Sequence, residues 1–175
     1  IRICKGLNNS ILPIQGPPGT GKSHTGAEMI VELAKSGKRV GVTAISHKVI
    51  RGLLEKALKS AKKKSFNLKV VDKTSSKSSS PPTGLEEESD NTKALLALDN
   101  GKVVGATAWL WAREDAIEKL DYLFVDEAGQ MSLAMVLAAS RSAKNIILLG
   151  DPQQLEQPQK GSHPEGADTA ALNHI

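Results

Sequence analysis

Eight residues near the amino terminus have the types and spacing needed to hold a phosphorylated ligand. They read Gly16-Pro17-Pro18-Gly19-Thr20-Gly21-Lys22-Ser23, which fits the pattern G-x-x-x-x-G-K-[ST]. Glycines let the backbone N–H groups of such a loop converge on phosphate oxygens, and a following helix points its positive end at the same anion. We expect Lys22 to reach the β- and γ-phosphates and the Ser23 hydroxyl to ligate Mg²⁺. The adjacent His24 is a further candidate for nucleotide binding.

A second candidate lies at 123–127, where a hydrophobic run ends in Asp126 and Glu127. Open α/β sheets bind ligands at the carboxyl ends of their strands, so this pair should lie beside the phosphate loop. Asp126 suits the holding of Mg²⁺, usually through water, and Glu127 suits the activation of an attacking water. The two acids could instead simply favour the start of a helix. The upstream loop argues for the catalytic interpretation, with ATP and Mg²⁺ as the cofactors.

A third hydrophobic run, at 146–149, leads into Gly150-Asp151-Pro152-Gln153-Gln154-Leu155. The amide of Gln154 could hydrogen-bond a γ-phosphate and respond to its loss after hydrolysis. Asp-Pro is also an ordinary turn sequence, so this signal depends on the other two.

Short β-rich runs alternate with helical patterns along the chain, which predicts an α/β fold with a mainly parallel sheet and helices on both faces. One segment breaks the alternation. Residues 73–91 are rich in Ser, Lys and Pro and then carry three consecutive glutamates, so we expect a flexible surface insertion there. The expected elements are strands at 11–15, 39–43, 66–71, 102–107, 122–125 and 145–149, and helices at 22–36, from 46 past 58, at 92–98 and at 132–140.

Composition narrows the class of protein. The 175 residues fit one domain, and a hydrophobic content of 39% excludes a disordered chain. The net charge of +4 suits a nucleic-acid partner or simple solubility equally well. Cys4 is the only cysteine, which excludes an intrachain disulfide and a cysteine-based zinc site. No apolar run approaches the ~20 residues that span a membrane. We expect a cytoplasmic protein with no membrane partner.

Four motifs, taken in order, carry a resemblance to a known family. The phosphate loop, Thr43-Ala44-Ile45-Ser46, Asp126-Glu127-Ala128-Gly129-Gln130 and the 150–155 segment resemble those of superfamily 1B helicases of the Upf-like and RecD-like groups. More narrowly, 40–54 and 101–168 resemble bacterial proteins that join a RecB-like nuclease domain to such a helicase.

The resemblance implies that residues 1–175 form the first RecA-like domain (domain 1A), a P-loop NTPase, of a larger protein. A second RecA-like domain would supply an arginine finger, so the isolated domain should be nearly inactive. A RecB-like nuclease domain could be fused to it. The partner would be single-stranded DNA or RNA, with DNA favoured. Gln130 would link the nucleotide site to motif III, whose strand would lie between the phosphate-loop strand and the Asp126 strand. The residues implied to contact the single-stranded nucleic acid are Thr43, Ser46, His47 and Thr107.

Other side chains near these motifs could support the same partner. Lys48 and Arg51 follow the second motif, and Trp109 and Trp111 follow Thr107. The tryptophans could stack on bases or be buried. Because aromatics make up only 3% of the chain, we expect at least one tryptophan to be buried.

Three other functions share part of this pattern. An AAA-type protein remodeller has the phosphate loop and the Asp-Glu pair, but it should lack Gly-Asp-x-x-Gln-Leu. A small-molecule kinase rarely places a glutamate directly after the Mg²⁺ aspartate, because it must avoid activating water. A nucleotide-binding module without chemistry of its own would not need Lys22, Ser23, Asp126 and Glu127 together.

Overall fold

The computed structural model describes residues 1–153 and 170–173, and its strands form a single seven-stranded sheet in which every pairing is parallel. The strands are β1 (Ile11–Gln15), β2 (Val40–Thr43), β3 (Val70–Lys73), β4 (Leu85–Glu88), β5 (Val103–Gly105), β6 (Leu120–Asp126) and β7 (Ala143–Gly150). The helices are α1 (Arg2–Lys5), α2 (Lys22–Lys35), α3 (His47–Lys63), α4 (Asn91–Asp99), α5 (Ala108–Trp111) and α6 (Leu133–Ser140), with 3-10 turns at Glu114–Ala116 and Ala171–Asn173.

The strand order is β1-β7-β6-β2-β5-β3-β4. This confirms the predicted α/β fold, and β7 lies between β1 and β6 as the resemblance implied. Gln15 pairs with Gly150, and Asp126 pairs with Leu149. Since the strands are parallel, their carboxyl ends share one edge of the sheet, which we call the carboxyl edge. The three candidate segments therefore meet there.

Helices cover both faces of the sheet and enclose two apolar clusters. On one face α2 and α3 pack against alternate residues of the central strands, such as Phe124 and Ile147. On the other face α4, α5 and α6 pack against the intervening residues, such as Val125 and Leu148. Strands that are buried on both sides are largely apolar, as β6 is at 122–125 and β7 is at 146–149.

The acidic run at 86–88 lies in a strand, which corrects the expectation of a surface insertion with no core element across 73–91. Leu85–Glu88 pairs in parallel with β3, and Leu85 is buried. Arg51 of α3 pairs with Glu87, and Lys102 pairs with Glu86 at 2.6 Å. Cations from other elements, together with the position at the sheet edge, explain why a glutamate-rich strand is stable here.

The third strand also differs from its prediction. It was expected at 66–71 and is found at Val70–Lys73. The backbone N–H of Phe66 donates to the carbonyl of Ala61 at 2.9 Å, so the residues just after α3 close the end of that helix before the strand begins.

Candidate functional site

The phosphate loop connects β1 to α2 and lies on the carboxyl edge. The backbone N–H of Gly16 donates to the carbonyl of Gly150 at 3.2 Å, which ties the loop to the end of β7. Gly19 and Gly21 have φ values of 83° and 85°, a left-handed conformation that favours glycine. The loop residues at 17–21 are all exposed, so the loop is accessible to a ligand.

Lys22 crosses the mouth of this loop. Its ammonium donates to the carbonyl oxygens of Gly16 and Pro17, the latter at 2.8 Å. The Thr20 hydroxyl donates to the same Pro17 carbonyl at 2.8 Å. Carbonyl and phosphate oxygens both accept hydrogen bonds from an ammonium, so Lys22 can donate to a bound phosphate in place of these carbonyls.

Ser23 and Asp126 come from different elements and meet across the site. The Ser23 hydroxyl lies 3.5 Å from a carboxylate oxygen of Asp126 and is placed to donate to it. Adjacent ligands of an octahedral Mg²⁺, each at about 2.0–2.1 Å, lie about 2.9 Å apart, so the two oxygens need only a small approach to share one ion. The pair therefore fits the metal that a nucleotide brings.

Burial raises the pKa of Asp126, which is 5% exposed. The backbone N–H of Glu127, at 3.1 Å, opposes this shift, as does the Ser23 hydroxyl. Among residues 1–153 and 170–173, no group of three or more His, Cys, Asp or Glu side chains could hold a metal ion. A metal ion held by Ser23 and Asp126 would therefore need further ligands from outside these residues.

A tight turn follows Asp126 and presents Glu127. Glu127 has a φ of 54°, a left-handed conformation that costs a non-glycine residue about 1–3 kcal/mol. The turn is held by Ala128, whose N–H donates to the Leu149 carbonyl at 2.9 Å, and by Gln130, whose N–H donates to the Glu127 carbonyl at 2.8 Å. A Cβ on Gly129 would lie 2.3 Å from the carbonyl oxygen of Asp151, so the turn packs directly on the backbone after β7.

The third candidate segment is described only as far as Gln153. Asp151 is 7% exposed, and its carboxylate accepts a hydrogen bond from the Gln153 N–H at 2.9 Å. Gln154 lies outside the described residues, so its role as a γ-phosphate sensor stays a prediction. His24 is exposed in the first turn of α2, and Gln130 is half-buried in the turn after Glu127.

The four residues predicted to contact nucleic acid differ in their exposure to solvent. Thr43 is fully buried, and its hydroxyl has no hydrogen-bond partner in the described part of the chain. The structure therefore does not support Thr43 as a direct contact. The Ser46 hydroxyl caps α3 by accepting a hydrogen bond from the Val49 N–H at 3.3 Å. Ser46 is half-exposed, and His47 is exposed. Thr107 is half-exposed just before α5.

Two basic and aromatic side chains near these contacts also have other roles. Arg51 lies among the carboxylates of Glu87, Glu55 and Asp72, so its charge is already compensated within the fold. Trp111 is fully buried and donates its indole N–H to the carbonyls of Val42 and Ala106, both at 3.2 Å.

Trp109, in contrast, is 79% exposed. The prediction that at least one tryptophan is buried is confirmed. Sequence reasoning missed α5. Residues two apart on a helix face different sides, so recognition of this helix would have separated the buried ring from the exposed one.

Comparison with known proteins identifies the family of this arrangement. A family model described as AAA domain matches residues 4–173. The chain belongs to this family.

Several relatives of this AAA domain are named as helicases. It is 28% identical over 147 residues to the DNA replication ATP-dependent helicase/nuclease DNA2 of Saccharomyces cerevisiae, covering 81% of this chain and 10% of the relative. It is 30% identical over 159 residues to the protein of the same name from Gallus gallus, covering 85% of this chain and 15% of the relative. The AAA domain thus spans a small part of the curated relatives it matches.

A solved structure shares the fold of this AAA domain. It is a nuclease-deletion mutant of the Type ISP restriction-modification enzyme LlaGI in complex with a DNA substrate mimic, with a TM-score of 0.58 and 17% identity. The match covers 88% of this chain and 16% of that chain. The family model and the sequence relatives, together with this shared fold, support a superfamily 1 helicase-type RecA-like domain. Within residues 1–153 and 170–173, every helix is too short or too polar to span a lipid bilayer.

Proposed function

We propose that this domain is the first RecA-like domain of a superfamily 1B helicase or translocase that hydrolyses Mg-ATP and moves along single-stranded nucleic acid, with DNA favoured over RNA. The observation that carries the proposal is the meeting of Ser23 and Asp126 at 3.5 Å, with Lys22 and Glu127 beside them on the carboxyl edge. The relatives named for helicase activity on DNA support the choice of partner.

The proposed roles follow from the positions of the side chains. The backbone N–H groups of Gly19 and Gly21 and the ammonium of Lys22 hold the phosphates, while Ser23 and Asp126 would hold Mg²⁺. Bound by Ser23 and Asp126, Mg²⁺ would neutralise charge that develops on the phosphates. Glu127 orients the attacking water and accepts its proton. Gln154 lies outside the described residues, and its proposed role as a γ-phosphate sensor rests on the motif resemblance.

Movement along nucleic acid requires a connection between the nucleotide site and the surface that binds the nucleic acid. The turn at 127–130 is our candidate for this connection. Because this turn contacts the backbone of Asp151, a shift at Glu127 would have a route to the segment after β7. Gln130 lies in this turn, in line with its proposed link between the nucleotide site and motif III.

A second RecA-like domain completes the site in this proposal. An arginine supplied in trans contributes about 10³–10⁵ in rate to related hydrolases. The 175-residue chain alone should therefore bind Mg-ATP and hydrolyse it slowly. A RecB-like nuclease domain in the same protein is a further part of the proposal, supported by the helicase/nuclease names of the relatives.

The test is steady-state ATP hydrolysis by the protein in its full natural length, with single-stranded DNA, single-stranded RNA or an unfolded protein added in turn. Stimulation by DNA, absent in Glu127→Gln, is the expected result. Stimulation by the unfolded protein alone would overturn the proposal in favour of an AAA-type remodeller. Stimulation by RNA alone would support a nucleic-acid motor that acts on RNA instead of DNA.

A further inference from the structure

An exposed aromatic ring lies on the carboxyl edge, away from the nucleotide site. Trp109 is 79% exposed, the largest exposed fraction among the big apolar side chains of the described residues. The ring lies beside a cavity of about 310 Å³ that is also lined by Lys73, Asn91, Thr107, Leu110 and Arg113. We call these six residues the Trp109 pocket.

The pocket lies on the same edge of the sheet as the catalytic residues. Lys73 ends β3, and Thr107 follows the end of β5 by two residues. The strand order places β2 between β5 and β6, so the exposed residues after β2, such as His47, lie between the Trp109 pocket and Asp126. Neighbouring strands are about 4.8 Å apart, so a chain of a few nucleotides laid along this edge would reach from one to the other.

The chemistry of the pocket fits an unpaired base and its phosphate. An exposed indole offers a face on which any base can stack, while a cation and a hydroxyl can bind the backbone. Lys73 has no ion-pair partner within the described ranges, whereas Arg113 is engaged by Asp115 at 2.8 and 2.9 Å. Lys73 is therefore the cation available to a phosphate.

A protein partner fits the same surface less well. Protein interfaces have an apolar centre that excludes water. Here four of the six lining residues are polar, and Leu110 is 3% exposed, so Trp109 is the sole large apolar side chain that the pocket presents. A solitary ring among polar groups suits stacking better than the burial of an apolar surface.

We propose that Trp109 is a base-stacking residue for single-stranded nucleic acid and that Lys73 binds the adjacent phosphate. This inference rests on the proposed function and adds a subsite to it. Stacking on an aromatic ring would make the contact tolerant of sequence, as a motor requires, because every base has a π-face.

The test measures the affinity of the full-length protein for oligothymidylate, by fluorescence anisotropy of a labelled strand. Trp109→Ala should weaken binding about 5- to 150-fold, the loss of one stacked base, whereas Trp109→Phe should retain most of the affinity. The matched control is Leu96→Ala, which removes an exposed apolar side chain of α4 outside the Trp109 pocket. This variant should bind as the native protein does. Lys73→Gln should reduce the slope of log K against log salt by about 0.7.

An abasic strand separates stacking from a structural effect. Moved one position at a time along the oligonucleotide, an abasic site should reach a position where native affinity falls and Trp109→Ala costs nothing further. The inference would be overturned if Trp109→Ala lost the same affinity for every oligonucleotide, wherever the abasic site lies. Unchanged binding by Trp109→Ala would also overturn it. Either result leaves the proposed function intact if DNA still stimulates hydrolysis. Failure of the native protein to respond to any nucleic acid removes both.

Discussion

Replacing Thr43 with valine should stabilise the protein. Thr43 is fully buried at the end of β2, and its hydroxyl has no hydrogen-bond partner among the described residues. A buried hydroxyl without a partner costs about 1–3 kcal/mol in protein mutational data. Valine has nearly the same shape and no such penalty, so Thr43→Val should add about 1–3 kcal/mol to the free energy of unfolding. For a chain of this size each kcal/mol is worth about 2–4 °C, which gives a rise in Tm of about 2–12 °C.

Thermal and urea unfolding of the 175-residue chain measure this change, and Ser46→Ala provides the matched control. Ser46 also carries a hydroxyl, three residues further on, but that hydroxyl accepts from the Val49 N–H at 3.3 Å and caps α3. Its loss should lower stability by about 0.5–2 kcal/mol, the opposite sign. If Thr43→Val lowers stability by 1 kcal/mol or more, the hydroxyl has a partner in solution and our reading of Thr43 is wrong.

Three further predictions test separate parts of the fold. Gly129→Ala places a Cβ 2.3 Å from the Asp151 carbonyl oxygen. It should lower the free energy of unfolding in urea by about 1–3 kcal/mol and slow ATP hydrolysis. Native-like values for both would contradict the tight packing. Arg51→Ala leaves buried Asp72 and nearby Glu87 uncompensated. It should cost about 2–4 kcal/mol, less than a fully buried pair because Arg51 keeps some exposure, whereas the exposed Lys59→Ala should cost under 0.5 kcal/mol. Burial raises the pKa of the Cys4 thiol to about 11, so the neutral thiol favours folding below its unfolded pKa, and this contribution disappears as pH rises through about 11. Alkylation by iodoacetamide at pH 8.5 should therefore be slow in the native chain and fast in denaturant, and equal rates would show that Cys4 is accessible.

The sequence is most informative where local chemistry determines the conformation. Gly19, Gly21 and Lys22 specify the phosphate loop because its backbone needs left-handed residues and its ligand needs a cation. The apolar runs that end at Asp126 and Gly150 predicted β6 and β7, since strands buried on both faces are largely apolar.

Prediction failed where distant contacts outweigh local pattern. Strand β4 was missed because three glutamates in a row read as a solvated loop, and the cation that pairs with Glu87 is Arg51, 36 positions earlier in the chain. The burial of Thr43 was missed for a similar reason. A hydroxyl at a strand end looks accessible in sequence, and its exposure depends on the elements that pack over it.

The most direct test of the central claim is the hydrolysis rate of Glu127→Gln in the full-length protein, measured with single-stranded DNA present and alongside Mg-ATP affinity. Amide and carboxylate have almost the same shape, so nucleotide binding should stay within about threefold of native. Loss of the general base should lower the stimulated rate by about 10²–10⁴. A variant that binds Mg-ATP normally and still hydrolyses it at the native rate would contradict the assignment of Glu127, and with it the proposed catalytic edge.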